Sequence, residues 1–384
     1  MGNVVRVCTF NEVEELTRVI YRGFGNFVTS SYMDQRRALF IEDRSVGVFD
    51  GDQLVGGAHS HPVSMNVPGG KLPCAGVDNV AVQPTHRRKG FMTQMMEYQL
   101  RDIYERGEPL ASLWATESVI YGRYGYGAAV FHENWKIERN HSNFAQSYSS
   151  SGALRFIELD EALANCPEVF GKALEGRPGG IDRPKLQWVR INDWFSEASK
   201  KSVARYTVAY EMDGWMEGYV RYEVKDGIVS VLELMPVTRQ AYWALWDYCF
   251  GIDLVVTIES QDRPIDEPLP WMLADPRQLE RRPTDALWIR LVDVPLALSC
   301  RTYNQEAQVV FEIEDNFCPW NEGRYKLVGG PQGSECQSTT SKADLSALAK
   351  TVAEGGGHKY AAGGKLCNNF AIFSKLFKPI TQYA

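Results

Sequence analysis

The sequence predicts an α+β protein in which one mixed fold occurs twice and a different segment follows. Three observations lead to this prediction. A strand, a proline and a helix follow one another at residues 77–107, and a hairpin, a proline and a helix recur at residues 218–248. Residues 140–152, between the two copies, are polar and serine-rich, which is typical of a linker. An apolar stretch at residues 288–294 then opens the third segment.

The first copy is predicted to begin with a helix. Asn11 can cap its N-terminus, with Glu14 in the reciprocal position. A second helical stretch is predicted at residues 32–40. The apolar side chains of the first helix recur at helical spacing, at Val13, Leu16, Val19 and Ile20.

Extended segments follow, because Asp50-Gly51 and Pro68-Gly69-Gly70 are turn signals. They predict antiparallel strands over residues 46–49, 53–67 and 71–82. After these strands, the pattern predicts a helix over 90–107, a buried strand over 110–115, a short helix over 118–123 and an extended stretch over 126–137.

The composition excludes several classes of protein. Of the 384 residues, 44% are hydrophobic and 23% charged, as in ordinary globular proteins, which excludes a disordered chain or a fibre. No run of about 18 apolar residues and no secretory signal is visible, which predicts a cytoplasmic protein without a membrane span. The net charge of −7 argues against nucleic-acid binding. Eight cysteines without a CxxC pair favour reduced thiols over a disulfide frame or a zinc site.

The strongest local signal is the sequence VAVQPTHRRKGFM. A strand ends at Pro84, three cationic residues follow, and Gly90 opens a helix. Free N–H groups at a helix N-terminus favour an anion, and glycine lets that anion approach the backbone closely. The pattern predicts a pyrophosphate site at Arg87, Arg88 and Lys89; a solvated basic turn is the alternative.

The longer stretch VDNVAVQPTHRRKGFM resembles motif A of the GNAT acetyltransferases, whose loop binds the pyrophosphate of acetyl-CoA. The ordered motifs PTHRRKG, RGEP and IYGRYGYG are similar to the enhanced intracellular survival (Eis) family of GNAT N-acetyltransferases. WIRLVDVPLAL resembles the start of that family's third domain. The resemblance implies two tandem GNAT-type folds, the second degenerate, and a C-terminal sterol-carrier-protein-like fold, at residues 1–145, 146–286 and 287–384. It also implies a homo-hexamer built as a trimer of dimers.

In that family acetyl-CoA lies in a wedge between two central strands. The spacing of Val77, Val80 and Val82 breaks the alternation of a regular strand, which a β-bulge at Asp78-Asn79 explains and which would help to splay the strands. The resemblance implies cofactor contacts from the strand end, the basic loop, the start of the helix and the strand that precedes Tyr121, at Val80, Ala81, Val82, Arg87, Arg88, Lys89, Gly90, Phe91, Met92 and Thr116.

Tyr121, in IYGRYGYG, matches the general acid of the family. When an amine attacks a thioester, the departing thiolate needs a proton, and a phenol with a pKa of about 10 can supply it. Tyr124 and Tyr126 are close in sequence, so a merely packed aromatic side chain is the alternative for Tyr121.

The resemblance also implies that the C-terminal carboxylate, here that of Ala384, reaches the active site of the first domain and serves as the base. Pro379 would end the preceding helix and release the tail. Phe24 and Asn26 are the predicted acceptor-binding residues. Asn26 stands where the family leads us to expect an acidic residue, which argues against a polycationic aminoglycoside as the natural acceptor.

We therefore predict an acetyl-CoA-dependent N-acetyltransferase for a primary amine of aminoglycoside, polyamine or lysine type, working by direct attack on the thioester. The alternatives are an acetyltransferase for peptide or protein lysines and a non-enzymatic CoA- or lipid-binding protein that uses the carrier-like domain. No metal is expected, because His59 and His61 would share one strand face but lack an evident third ligand. The glycine-rich residues 354–365 fail the spacing test for a phosphate loop.

Overall fold

The computed structural model describes residues 2–148, 150–184, 187–188, 203–341 and 366–367. These residues form two compact units. The first contains the described residues of Met1–Ala129, Gly176–Ile181 and Leu287–Ile380, and the second contains those of Val130–Glu175 and Asp182–Ala286. Each unit is therefore assembled from segments that are distant in sequence.

The first unit is organised around a seven-stranded sheet. Its elements up to residue 129 are β1 (Asn3–Val7), α1 (Val13–Gly23), α2 (Ser30–Ala38), β2 (Ser45–Asp50), β3 (Gln53–Val67), β4 (Gly70–Val82), α3 (Phe91–Glu105), β5 (Leu110–Trp114), α4 (Ser118–Tyr121) and β6 (Gly127–Ala128). A late strand, β14 (Leu287–Leu291), completes the order β1-β2-β3-β4-β5-β14-β6. Neighbouring strands are antiparallel except β4 and β5, which are parallel.

The hairpins predicted from the turn signals are confirmed. Asp50 pairs with Gln53 at the end of β2–β3, and Val67 pairs with Gly70 at the end of β3–β4. Gly51 and Gly69 have φ values of 60° and 87°, a left-handed conformation that glycine adopts without a steric penalty. The turn between β3 and β4 sets the register in which His59 pairs with Asp78.

The predicted start of the first helix is wrong by one short turn. The segment Phe10–Glu12 forms a 3₁₀ turn ahead of α1, and the backbone N–H of Thr9 donates to Glu12 Oε2 at 2.9 Å. Arg6 holds the same carboxylate, with Nη1 donating to Oε2 at 2.8 Å. Thr9 and Glu12 therefore replace Asn11 and Glu14 at the cap. The predicted apolar stripe is confirmed, because Val13, Leu16, Val19 and Ile20 are all buried.

Strand β14 is the largest departure from the expected order of segments. The sequence places residues 288–294 at the start of the third segment, yet Ile289 pairs with Ser112 of β5 and with Gly127 of β6. Arg290 and Asp315 are each 1% exposed and form a buried ion pair. Gly125, with φ of 79°, leaves the space that the Arg290 guanidinium occupies. The strand thus belongs to the first sheet and is fixed there by packing and by charge.

A second sheet completes the first unit. It follows α8 (Val294–Ser299) and has the order β17-β16-β15-β18, from β15 (Ala307–Glu314), β16 (Gly323–Gly330), β17 (Gly333–Ser338) and β18 (Leu366–Cys367). Aromatic contacts link the segment after β15 to α3 and to the turn after α4, since Trp320 stacks 4.9 Å from Tyr104 and Phe317 lies 5.0 Å from Tyr124, centroid to centroid.

The second unit has its own seven-stranded sheet, of order β13-β7-β12-β11-β10-β9-β8. The elements are β7 (Phe131–Glu138), β8 (Ala153–Phe156), α5 (Leu159–Leu174), β9 (Arg205–Met212), β10 (Trp215–Lys225), β11 (Ile228–Pro236), α6 (Arg239–Gly251), β12 (Thr257–Pro264), α7 (Leu269–Met272) and β13 (Glu280–Asp285). The predicted hairpin is confirmed as β10 and β11, and the predicted helix as α6. Among the paired strands of this sheet, only β11 and β12 are parallel.

The stretch expected to be a linker is packed at its centre. Phe144 lies 4.9 Å from Trp243 and 5.5 Å from Phe250, and it forms a β-bridge with Leu273. The Ala145 N–H donates to the Met272 carbonyl at 2.8 Å. Tyr148 also lies 5.0 Å from Trp243. Two aromatic side chains therefore dock this segment on the second core, and the linker prediction is wrong for residues 143–148.

Candidate active site

The central parallel strands of the first unit separate after a short contact. Strands β4 and β5 pair only at Cys74–Leu110, Ala75–Ala111 and Gly76–Ser112. Strand β4 continues to Val82 without β5 beside it. Its unpaired backbone N–H and C=O groups therefore face a split that opens beyond Gly76 and can receive a ligand.

The predicted β-bulge is confirmed at the mouth of this split. Gly57 pairs with Ala81 and His59 with Asp78, so Asn79 and Val80 together oppose a single residue of β3. Asn79 has φ of 55°, which is uncommon for a residue other than glycine. The extra residue bends β4 and increases its twist, which separates it further from β5.

The two faces of β4 differ at the bulge. Val77 and Val80 pack in a hydrophobic cluster with Met96 of α3 and with Tyr121. Ala81 packs on the opposite face, in a cluster with α1. The split is therefore lined by apolar side chains and Tyr121 on the α3 face and by residues under α1 on the other.

The N-terminus of α3 is open. Gly90 is its N-cap residue, with φ of 83°, and no side chain caps the helix. A Cβ added at Gly90 would meet nothing within 4 Å, so there is open space beside this residue. The first N–H groups of a helix lack partners within the helix and carry a partial positive charge. This end of α3 is consequently suited to bind a phosphate or pyrophosphate.

The cationic residues of the loop lie around that helix end and are exposed. Arg87 donates from Nη2 to the Gly23 carbonyl at 2.5 Å, which ties the loop to the end of α1. Lys89 Nζ lies 3.8 Å from Asp50 Oδ2. Arg88 has φ of 63°, a backbone conformation that gives the loop its sharp turn before Gly90. Three cations and an open helix end therefore lie together, as the sequence predicts.

Tyr121 ends α4 and is 6% exposed. Its ring meets that of Tyr126 edge-on, with centroids 5.9 Å apart. Burial raises the pKa of Tyr121 to about 12, and Tyr124 adds to the effect. A phenol with a raised pKa stays protonated at neutral pH, so this side chain is held in the form that can donate a proton.

The other predicted cofactor-contacting residues separate into two groups. Met92 packs against the cluster that contains Tyr121, and Val82 is half-buried at the end of β4. The side chains of Ala81 and Phe91 are committed to core packing, so these residues have only backbone groups to offer a ligand. Thr116 is exposed in the turn between β5 and α4, not on the strand as predicted, because β5 ends at Trp114.

The predicted acceptor-binding residues lie after α1. Phe24 is the exposed C-cap of that helix. Asn26 lines a cavity of about 490 Å³ between α1 and α2, and Phe24 does not. The charged lining of the cavity carries an excess of one positive charge, because it holds three arginines, Arg18, Arg22 and Arg37, and two carboxylates, Glu14 and Asp34. The cavity therefore has no net acidic lining that would attract a polycation.

A group that the sequence analysis only half recognised lies on the α1 face of β3 and β4. We call Arg36, Ser45, His59, His61 and Asp78 the polar cluster. His59 Nδ1 lies 2.8 Å from Ser45 Oγ, and His61 Nε2 lies 3.3 Å from Asp78 Oδ1. The sequence predicts that the two histidines share one strand face. It does not indicate that Asp78 joins them, because that pairing depends on the β3–β4 register.

The electrostatics of the polar cluster keep its acid charged and one histidine neutral. Burial opposes ionisation of Asp78, but the contact with His61 and the charge of Arg36 hold the pKa of Asp78 below its ordinary value. Burial, helped by the charge of Arg36, lowers the pKa of His59 to about 3. The cluster thus combines an ionised carboxylate with a histidine that does not titrate near neutral pH.

Two further predictions concern a metal site and a membrane-spanning helix. Among the described residues, no group of three or more His, Cys, Asp or Glu side chains could hold a metal ion. No helix in the described part of the chain is long and apolar enough to cross a membrane. Ala384 and the preceding Pro379 lie outside the described residues.

Comparison with family profiles gives three matches along the chain. Acetyltransferase (GNAT) domains match residues 4–129 and, through a different profile, residues 179–291. A sterol carrier protein domain matches residues 294–356.

Whole-chain comparisons find relatives in actinobacteria. An N-acetyltransferase of Streptomyces avermitilis is 38% identical over 338 residues, covering 85% of this chain and 82% of that protein. The N-acetyltransferase Eis of Mycobacterium tuberculosis is 31% identical over 339 residues, covering 84% of this chain and 81% of that protein. The crystal structure of Eis1 from Mycobacterium abscessus has a TM-score of 0.75 at 32% identity, covering 89% of this chain and 86% of that one.

Proposed function

This chain belongs to the Eis family of GNAT N-acetyltransferases, and from that premise we propose that it transfers an acetyl group from acetyl-CoA to a primary amine. The predicted fold class is confirmed: two GNAT domains are followed by a sterol-carrier-protein-like domain. That the chain is an N-acetyltransferase is likewise confirmed, which sets aside the non-enzymatic CoA- or lipid-binding alternative. Acetyl-CoA dependence and the identity of the acceptor are the proposed parts.

The observation that carries the proposal is the split between β4 and β5 beside the open N-terminus of α3. A thioester with a pyrophosphate arm needs a slot between strands and an anion site at one end of it. In the first domain Gly90 leaves the helix end accessible, and Arg87 and Arg88 can add charge-assisted hydrogen bonds to phosphate oxygens. The split, the open helix end and the two arginines are therefore compatible with acetyl-CoA as the donor. This supports the proposal independently of family membership.

The chemistry we propose is a direct transfer. The free edge of β4, from Val80 to Val82, offers backbone N–H groups to the thioester carbonyl, which makes its carbon more electrophilic. The amine nitrogen bonds to that carbon, the carbon–sulfur bond breaks, and Tyr121 donates its hydroxyl proton to the departing thiolate. Holding both reactants in the split removes the need for an acyl-enzyme.

The acceptor is proposed to be a single primary amine of aminoglycoside, polyamine or lysine type. Asn26 and the excess of arginines over carboxylates in the α1–α2 cavity favour an acceptor with few positive charges. Phe24 offers an exposed aromatic surface beside it. A lysine side chain of a peptide or protein meets the same description and is the alternative acceptor.

Family membership further supports an assembly and a cell compartment. We propose a homo-hexamer built as a trimer of dimers, with domains at residues 1–145, 146–286 and 287–384 and with β14 paired into the first sheet. We place the reaction in the cytoplasm, which the free state of the seven cysteines at positions 8, 74, 166, 249, 300, 318 and 336 supports.

The resemblance assigns the base to the α-carboxylate of Ala384. If that assignment holds, deleting Ala384 retracts the carboxylate by roughly 3.5 Å and a C-terminal tag moves it away. Either change should lower kcat strongly without changing acetyl-CoA affinity, whereas Ala384→Phe should be tolerated. Full kcat in a C-terminally tagged enzyme would contradict the assignment.

The proposed function is tested by following thiol release from acetyl-CoA with a panel of amines that contains spermidine, kanamycin and a lysine-containing peptide. We expect release that saturates with one class of amine and a matching mass increase of 42 Da on that amine (the mass of an added acetyl group, with loss of one hydrogen). Thr238→Ala in the second domain is the control variant and should turn over normally. A chain that binds no acetyl-CoA in calorimetry contradicts the proposal.

A further inference from the structure

Two buried polar atoms of the polar cluster have no hydrogen-bond partner among the residues that the structure describes. They are Arg36 Nη1, on α2, and His59 Nε2, on β3. The two residues are only 4% and 3% exposed. Buried polar atoms are nearly always paired, because leaving one unpaired is costly. These two atoms therefore indicate a place where the fold leaves hydrogen bonds to be made by a ligand.

The hydrogen bonds of Ser45 determine which kind of partner His59 needs. The Ser45 hydroxyl donates to the Ile41 carbonyl at 2.7 Å, so its oxygen is left to accept from His59 Nδ1 at 2.8 Å. Burial, helped by the charge of Arg36, lowers the pKa of His59 to about 3, so the imidazole is neutral. A neutral imidazole with its proton on Nδ1 has a lone pair on Nε2. His59 Nε2 is therefore a hydrogen-bond acceptor that lacks a donor.

Arg36 has the opposite requirement. A guanidinium only donates, so Arg36 Nη1 needs an acceptor. The acceptor need not be an anion, because the ionised Asp78 already compensates the charge of Arg36. A further carboxylate would meet the lone pair of His59, and an ammonium would meet the charge of Arg36. The two atoms are thus complementary to a neutral group that accepts one hydrogen bond and donates another, as a hydroxyl or a carboxamide does.

The two atoms lie beside the split, on the face of the sheet opposite Tyr121. Val77 packs with Tyr121 on the α3 face. Neighbouring residues of a strand point to opposite faces, so Asp78 and its ladder partner His59 lie on the other face. Asp78 comes just after the residues of β4 that pair with β5, and its side chain is 32% exposed. A substrate that approaches the split from this face therefore meets the polar cluster.

We propose that Arg36 and His59 select the acceptor by binding a neutral polar group on it, a hydroxyl or a carboxamide. This inference rests on the proposed function. Arg36 Nη1 donates to the oxygen of that group, and an O–H or N–H of the group donates to His59 Nε2. An alkyl chain in the same position leaves both buried atoms unpaired, and a site built for hydrogen bonds rejects such a ligand strongly. The preferred acceptor is thus an amine with one positive charge and a neutral polar group, not a polyamine.

The test compares five small amines that differ in the group beside the amine. Ethanolamine carries a hydroxyl, glycinamide a carboxamide, propylamine a methyl group, glycine a carboxylate and ethylenediamine a second amine. Homologues with longer spacers sample the distance between the two groups. Each compound gives a kcat/KM per unprotonated amine or, where turnover is slow, an inhibition constant against the panel amine that the wild type turns over fastest. We expect the hydroxyl or the carboxamide series to be preferred over the other three by about 10–100-fold.

Two variants and a matched control connect this preference to the two residues. Arg36→Met and His59→Leu should each bring the preferred compound to within about threefold of its methyl counterpart, because a hydrogen bond is lost. Arg44→Met is the control, since Arg44 is another buried arginine of the first unit and donates to Glu108 at 3.0 and 2.7 Å. It should lower the thermal unfolding midpoint and keep the full preference. Loss of stability alone then does not account for a change in selectivity.

The outcomes separate this proposal from the proposed function. A preference for the hydroxyl series identifies a hydroxylated amine, and one for the carboxamide series a peptide-type acceptor; either supports the proposal. Equal constants for the hydroxyl, carboxamide and methyl series in an active wild type overturn it and assign the two atoms to buried water. A preference for the carboxylate or the second amine also overturns it, as does a preference that survives in both Arg36→Met and His59→Leu. A wild-type chain that acetylates no amine contradicts the proposed function itself.

Discussion

The two GNAT domains place a helix after the corresponding strand, and the ends of these helices differ in chemistry. In the first domain α3 begins at Gly90 with no cap and with three cations before it. In the second, Thr238 caps α6 by accepting from the Ala241 N–H at 3.1 Å, and it donates to Glu217 Oε2 at 2.8 Å. A threonine and a carboxylate thus occupy the helix end that the first domain leaves open for an anion.

The strands beside these helices differ in the same way. In the second domain β11 and β12 pair from Ile228–Thr257 to Val231–Ser260 and then part. There Arg263 donates to the Leu234 carbonyl at 3.4 Å and forms a buried ion pair with Glu267. Tyr242 donates to the same carboxylate at 3.0 Å. We call Arg263, Glu267 and Tyr242 the ionic plug. No ion pair among the described residues joins β4 to β5, so the first split stays open.

This comparison teaches that the fold and the ligand site are separable. The second domain keeps the parallel strand pair and the helix between the two strands, but side chains occupy its split and its helix end. Architecture alone therefore does not indicate an anion site, whereas the chemistry of the helix N-terminus does.

The largest expected effect separates the two buried tyrosines. Tyr121→Phe should lower kcat roughly 10²–10⁴-fold with little change in acetyl-CoA affinity, because the thiolate loses its proton donor. Tyr242→Phe removes a hydroxyl of the ionic plug and should leave kcat unchanged. Steady-state kinetics measure both, with Tyr124→Phe as a neighbouring control. Normal turnover by Tyr121→Phe would place the acid elsewhere.

Breaking the ionic plug should destabilise the second domain. Arg263→Ala leaves the buried Glu267 carboxylate without its partner, which costs about 3–5 kcal/mol. Arg155→Ala in the exposed pair with Glu161 should leave the unfolding midpoint nearly unchanged, because water screens that pair. Calorimetric unfolding of the full chain measures both. The acetyl-CoA stoichiometry of Arg263→Ala should stay at one per chain, because the second helix end lacks cations; a second binding site would contradict the comparison.

Removing the loop cations should weaken acetyl-CoA binding. Arg87→Ala with Arg88→Ala should raise the dissociation constant about 10–100-fold, as expected for exposed charge-assisted hydrogen bonds. Arg239→Ala, at the start of α6, is the matched control and should have no effect. Isothermal calorimetry reports the affinity directly, and equal affinity for the double variant and the wild type would remove the pyrophosphate assignment.

The smallest expected effect comes from copying the second domain's helix end into the first. Gly90→Asp places a carboxylate where we expect the pyrophosphate and should weaken acetyl-CoA binding about tenfold, corresponding to about 1.4 kcal/mol. Gly90→Ala carries the same backbone strain at φ of 83° without the charge, so it isolates the electrostatic part. If both variants bind equally well, charge at this helix end is not what distinguishes the domains.

Sequence reasoning succeeded where the signal is local. The basic loop, Gly90 and the bulge at Asp78-Asn79 lie within a few residues of one another, and their side-chain pattern determines the backbone directly. It failed where the partner is distant. Nothing near residue 289 indicates pairing with Ser112, and His61 meets Asp78 only through the hairpin register. The misplaced cap depends on Arg6, which holds Glu12 from the preceding strand.

The pairing of β14 with the first sheet affects how the first domain folds during synthesis. Residues up to 129 supply every other strand of that sheet, but the strand that covers the edge of β5 is made about 160 residues later, a delay of roughly 10–30 s at ordinary elongation rates. During synthesis the first GNAT domain therefore has an open β-edge along β5, a template for pairing with another nascent chain. A fragment ending at residue 145 lacks β14 and keeps that edge open.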